Sequence, residues 1–242
     1  DAVRNVLEAG VKIDRLITTL VLLAADRMAR TPVNVDAGWP CLTTELNLAA
    51  SLRTAQRIGG EQVAAKGIFH AAWLIFADRW LNIPSRPLTE LLEVERAASP
   101  LVERAASPLI ERAASSLDVE KLDASNEAAG VRRIINAIET LNVHEVGGLV
   151  LAYLDAGYSG HRLLQEMGRA ILWNDTASEI LPTLRTVFEE WENCAGHPAR
   201  YQLLVALARY ATDIRTNKDS QSATITAMRF AEGKTTVEVF EE

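Results

Sequence analysis

Apolar residues recur at intervals of three and four along nearly the whole chain, and that spacing constrains the fold more than any other feature, because it is the period of one face of an α-helix. Residues 11 to 30 place Val11, Leu16, Leu20 and Leu23 on one face, and Thr31-Pro32 ends the run. Residues 40 to 58 begin at Pro40 and stop at Gly59-Gly60, proline in the first turn and glycine past the last. Residues 61 to 82, EQVAAKGIFHAAWLIFADRWLN, form the best helix of the chain, with Phe69, Trp73, Ala77 and Trp80 on one stripe. Further helices are expected at 119 to 141, 143 to 156, 160 to 173, 177 to 193, 198 to 214 and 220 to 231, separated by Gly157, Gly196 and the polar run 216 to 222. Only KTTVEVFEE at the end alternates like a strand, and without a partner it is expected as an extended tail. The expectation is an all-α, multi-helix bundle of about nine to ten helices with a short extended C-terminal tail.

One stretch departs from this period. VERAASPLVERAASPLIERAASSL, residues 94 to 117, is an eight-residue unit written three times. Eight residues per two turns drifts away from the helical 7.2, so the seam would wander. Ser99-Pro100 and Ser107-Pro108 also interrupt a helix, Ser serving as N-cap and Pro as first helical residue of short steps. The repeat reads as a tolerated duplication in a surface linker. The organisation expected is an N-terminal bundle at 1–83, a connector at 84–118 and a C-terminal bundle at 119–242 sharing one core with the first.

The chain is long enough, at 242 residues with 48% apolar content, to bury a core without staples. Its net charge of −7 argues against a general nucleic-acid binder. LITTLVLLAA, the most apolar run, is ten residues between Arg15 and Asp26, a core helix and not a membrane span. Cys41 and Cys194 fit no metal-knuckle or dithiol spacing and read as free thiols in a reducing, cytoplasmic setting. Asp1 in place of an initiator Met points to a processed chain or a fragment, and no signal peptide opens it.

Catalytic signatures such as a phosphate loop, a nucleophile elbow or HExxH are missing. His70 lies in the apolar helix 61 to 82, where it reads first as a core histidine with satisfied nitrogens and second as a metal ligand. His144 is expected to be solvated at a helix start, His161 to lie in a first turn capped by Ser159, and His197 to flank the next helix as a cap. Thr176 and Glu179 have capping-box spacing, although Pro182 would kink a helix that starts there. Asp175 and Glu179 beside Trp173 are the carboxylates that could bind a metal. The aromatic stripe of Phe69, Trp73, Phe76 and Trp80 reads as core, with a ligand pocket as the other reading. Arg79, Arg132, Arg133, Arg200 and Arg209 read as ordinary surface or helix-end charges.

Several segments in order, LITTLVLLAADRMAR, GWPCLTTELNLAASLR, KGIFHAAWLIFADRWLNIPSRPL, LVLAYLDAGY, GRAILWNDTASEI and PARYQLLVALARYA, resemble the long helical region fused to Rieske-type [2Fe-2S] domains in bacterial, notably actinobacterial, proteins. The resemblance covers most of the chain apart from the octad repeat. It implies a helical module of a Rieske-associated redox, oxidoreductase-type protein with a degenerate buried metal site. His70, Asp78 and Asp175 match that family, whereas Thr43, Thr44, Arg53 and Glu179 stand where it carries histidines. Of these four, Glu179 alone can replace imidazole as a ligand. The metal set implied is His70, Asp175 and Glu179, holding a transition metal ion with iron favoured. No [2Fe-2S] cluster can be held within this chain, since its two cysteines and four histidines lack the paired Cys-x-His and Cys-x-x-His segments. The partners implied are a Rieske-type redox domain or protein and a small molecule, without nucleic acid or membrane, and oligomers fit as well. The competing expectation is a non-catalytic helical module that binds a partner protein or a small apolar ligand.

Overall fold

A computed structural model describes residues 1–31, 38–81, 83, 87–97, 127–173 and 177–216. Among the described residues there are nine α-helices and no strand: α1 (Ala2–Glu8), α2 (Ile13–Arg30), α3 (Trp39–Ala77), α4 (Leu88–Ala97), α5 (Glu127–Glu139), α6 (Val143–Asp155), α7 (Gly160–Leu172), α8 (Ala177–Asn193) and α9 (Tyr201–Thr216). Two 3-10 turns, Asp78–Leu81 and Pro198–Arg200, end α3 and lead into α9. The molecule is an all-α multi-helix bundle, and none of its described helices is long and apolar enough to cross a membrane.

The centre of the bundle is α9. Every residue from Leu203 to Thr212 is buried, as expected for a helix that is apolar all round and surrounded by others. It packs on α2, α6, α8, α5 and α7. Arg209 is fully buried in this helix, not a surface charge, and its Nη2 donates to the Thr31 carbonyl at 2.6 Å. Arg200, likewise expected as a simple helix-end charge, lies over the Trp191 ring at 3.5 Å from its centroid.

Gly60 breaks α3, with φ 78° and ψ −179°. Only glycine takes that conformation without cost. The two halves fold back on each other: a Cβ at Gly67 would meet Leu52, Gly38 sits against Leu81, and Arg27 of α2 reaches both Glu45 and Asp78. The stop expected at Gly59-Gly60 is therefore the tip of a helical hairpin, with α2 packed along it.

The connector expected from residue 84 contributes to the core. Leu88 and Leu92 of α4 are buried, and Gly147 of α6 lets Leu92 approach where a Cβ would collide with it. Helix α4 runs through Ala97 into the first octad, and the rest of the repeat, 98–117, lies outside the described residues, as do the helix expected at 220–231 and the extended tail. One buried cluster includes side chains from α2 and α3 and from every helix after α4. Helix α8 starts at Ala177 and carries Pro182 inside it, so the proline neither delays nor ends the helix. Ser159 caps α7 by accepting from the Arg162 amide at 3.2 Å.

Candidate functional site

The second half of α3 carries two apolar stripes, displaced by one residue and hence by about 100° around the helix axis. The stripe of small and aliphatic side chains, Ala64, Ile68, Ala71 and Ile75, is buried. The aromatic stripe is not core: Phe69, Trp73, Phe76 and Trp80 are 46%, 65%, 60% and 59% exposed. The other half of α3 packs on the side of Ala64, Ile68, Ala71 and Ile75, with Leu52 closely approaching Gly67. Phe69, Trp73 and Phe76 lie as a ridge along one face of α3 over about 10 Å, and Trp80 follows in the 3-10 turn.

His70 is also exposed on this face and is not a core histidine. Lys66, one turn before it, is exposed too, and the Arg79 guanidinium lies 4.3 Å from the Phe76 ring centroid while donating to the Phe76 carbonyl at 3.1 Å. The ridge is thus flanked by Lys66, His70 and Arg79, in a chain with a net charge of −7.

At the end of the ridge a buried polar cluster holds Trp80. The Trp80 indole N–H donates to Asp78 Oδ1 at 3.3 Å. Asp78 is buried, and its carbonyl accepts from Arg27 Nη2 at 3.0 Å. Arg27 Nε donates to Glu45 Oε2 at 2.9 Å. Glu45 is 1% exposed, and its other oxygen, Oε1, is buried without an ordinary donor. The Asp78 carboxyl is a further charged neighbour of Glu45. Burial pushes the Glu45 carboxyl up to about 7; Arg27 offsets part of this and Asp78 pushes it further up. Burial and the same two carboxyl groups also raise the Cys41 thiol, one turn before Glu45.

A second network pins the middle of the hairpin. Arg53 grips Glu190 of α8 through Nε and Nη2, and also donates to Asp14 and to the Thr18 hydroxyl of α2. Arg53 therefore serves as an interhelical tie between α2, α3 and α8. Thr43 and Thr44 return their hydroxyls to the carbonyls of Trp39 and Pro40. Cys194 is buried beside Glu190, and burial raises its thiol to about 11, which leaves it protonated and inert.

Of the three expected metal ligands, His70 is exposed on α3, whereas Asp175 and the side chain of Glu179 lie outside the described residues. The capping box expected at Thr176 falls there too. Among the described residues no group of three or more His, Cys, Asp or Glu could hold a metal ion. His161 lies in the first turn of α7, 3.3 Å from Glu192, and His197 caps the 3-10 turn by accepting from the Ala199 amide. His144 differs from the expectation of a solvated ring, because its Nδ1 is buried at the start of α6.

No protein-family model matches the chain, and neither curated proteins nor solved structures give a match.

Proposed function

We propose that this chain is a helical docking module that presents the aromatic ridge of α3 to a protein partner, and that the partner is a redox protein of the Rieske type. The exposure of Phe69, Trp73, Phe76 and Trp80 together carries this reading, since large exposed apolar patches mark interaction sites and Trp is the residue most enriched among binding hot spots. The flanking Lys66, His70 and Arg79 select a partner whose apolar patch is rimmed by carboxylates. The redox class comes from the resemblance of the helical segments. Two free thiols fit a reducing, cytoplasmic setting.

The test is calorimetric titration of the purified chain with a Rieske-type ferredoxin. Trp73→Ala is expected to weaken binding tenfold or more, corresponding to about 1.4 kcal/mol or above, with the helical circular dichroism unchanged. Binding that ignores Trp73→Ala would remove the ridge from the reading. No binding, with anionic vesicles captured instead, would turn the ridge into a membrane-surface element.

A second reading is an oxidoreductase-type metal centre in which His70, Asp175 and Glu179 hold an ion such as iron. It is favoured by the open imidazole of His70. Elemental analysis of the purified protein beside His70→Ala decides it: stoichiometric metal lost on substitution supports a centre, and an empty folded protein removes it.

A further inference from the structure

The second half of α3 meets a partner as a finished helix. Ala64, Ile68, Ala71 and Ile75 fix it to the bundle, Leu52 closes on Gly67, and Arg27 holds the Asp78 carbonyl at 3.0 Å. Its outward side chains are therefore carried on an ordered backbone, and docking costs no helix folding. Phe69, Trp73 and Phe76 stand at i, i+4 and i+7, the spacing by which a single helix sets successive anchors into a hydrophobic groove.

The two flanks of the ridge differ. At about 100° per residue, Ala65 and Ala72 fall between the ridge and the buried stripe, and both are half-buried. They leave a shallow trough between the large rings and the body of the bundle. Lys66 and His70 fall on the opposite flank and are exposed. Arg79 marks the far end, its guanidinium 4.3 Å from the Phe76 ring centroid. A flat partner touches only the outer edges of the rings and leaves their faces in water. A concave partner covers the faces as well, with one wall in the alanine trough and the other over Lys66 and His70. Carboxylates fit the second wall alone, because Ala65 and Ala72 offer no charge to pair. A second copy of this ridge meets neither requirement, since it is convex and carries the same cations.

We propose that the second half of α3 docks as a helix into an apolar groove of its partner, with Phe69, Trp73 and Phe76 as anchors. The groove wall beside Ala65 and Ala72 is close-fitting and uncharged, and the wall beside Lys66 and His70 is acidic. This deepens the docking function proposed above and rests on it. The unequal walls fix which way round the helix lies in the groove. They also make the two alanines specificity determinants: bulk at either one keeps the near wall out, although a methyl group contributes little contact of its own.

The experiment is calorimetric titration of the full chain with two probes. One is the Rieske-type ferredoxin, and the other is the Ca2+-loaded C-terminal lobe of calmodulin, an acidic domain with a Met-rich apolar groove. The lobe is expected to bind, and Trp73→Ala and Ala72→Gln are each expected to weaken it by about tenfold or more. Lys66→Glu is expected to weaken it several-fold and to reduce the dependence of binding on salt. Ala65→Gln, on the same flank, replaces Ala72→Gln if the latter lowers the helical circular dichroism. A lobe that does not bind, or that binds the glutamine variant as well as the wild type, would overturn the proposal. Capture of vesicles containing phosphatidylserine in place of the lobe would overturn it too. Trp73-dependent binding of the ferredoxin without binding of the lobe would sink the groove alone. Binding of the lobe without binding of the ferredoxin would sink the Rieske reading alone.

Discussion

Arg53 on α3 and Glu190 on α8 form a two-pronged ion pair, with Nε 2.8 Å from Oε1 and Nη2 2.9 Å from Oε2. Glu190 is buried, Arg53 is largely so, and the guanidinium continues to Asp14 at 2.5 Å and to Thr18. Three helices therefore meet at one planar side chain, a geometry that lysine cannot reproduce.

Removing Arg53 should be costly for what it leaves behind. Arg53→Ala strands the Glu190 carboxylate in the interior, an expected loss of about 3–5 kcal/mol in urea unfolding. The double variant Arg53→Met/Glu190→Met removes both charges and should recover most of that loss. Equal destabilisation in the two variants would mean that packing, and not the stranded charge, dominates.

Gly60 offers a conformational test without a packing component. Its φ of 78° with ψ −179° is open to glycine alone, and a Cβ there would meet nothing within 4 Å. Gly60→Ala should therefore destabilise by about 1–3 kcal/mol through backbone strain. A neutral result in thermal unfolding would mean that the hairpin tip relaxes to another conformation.

Local features were legible in the sequence, and relations between distant segments were not. The bounds of α7 and α8, the Ser159 cap and the break at Gly60 depend on neighbours within a turn, so spacing and cap chemistry suffice to read them. The short α1 carries Val3, Val6 and Leu7 at helical spacing, but seven residues are too few for periodicity to announce a helix. On α3 both stripes have helical period, and which of them faces inward depends on the approach of residues near Leu52, information that periodicity does not contain. Size misled as well: the aromatic stripe looked like core because it is larger, yet the stripe of Ala64, Ile68, Ala71 and Ile75 is the one buried. His70 and Asp78 were singled out along that stretch, but the exposure of His70 and the burial of Asp78 follow from which face turns inward. Glu45 was detectable only as a carboxylate among the inward positions Leu42, Leu46 and Ala49, and Arg27, which reaches both its carboxyl and the Asp78 carbonyl, joins three separate stretches of chain.

The two stripes predict opposite outcomes on one helix. Ile68, 1% exposed, should cost about 2–5 kcal/mol when cut to alanine, by lost burial and a residual cavity. Trp73→Ser, on the exposed side, should change stability by no more than about 0.5 kcal/mol. Denaturant midpoints of the two variants check this. A large loss for Trp73→Ser would mean that the ridge is covered within the folded molecule.

The raised Glu45 carboxyl makes stability depend on pH in a stated direction. In the unfolded chain this group titrates near 4.5, and in the folded protein near 7. Between those values the folded state holds a proton that the unfolded state has lost, so stability falls as pH rises. Below the lower value the contribution is complete, and above the upper one it is gone. The gap corresponds to about 3 kcal/mol over the whole window. Other carboxylates have pH dependences of their own, Glu127 in the opposite sense, because hydrogen bonds from Tyr153, Ser159 and Arg162 hold it low. The informative quantity is thus the difference between the wild type and Glu45→Gln. Urea unfolding at several pH values should show the wild type losing ground to Glu45→Gln between about pH 4.5 and about 7 and no further change above that. Parallel curves for the two proteins would mean that Glu45 is ionised throughout and that Arg27 outweighs burial.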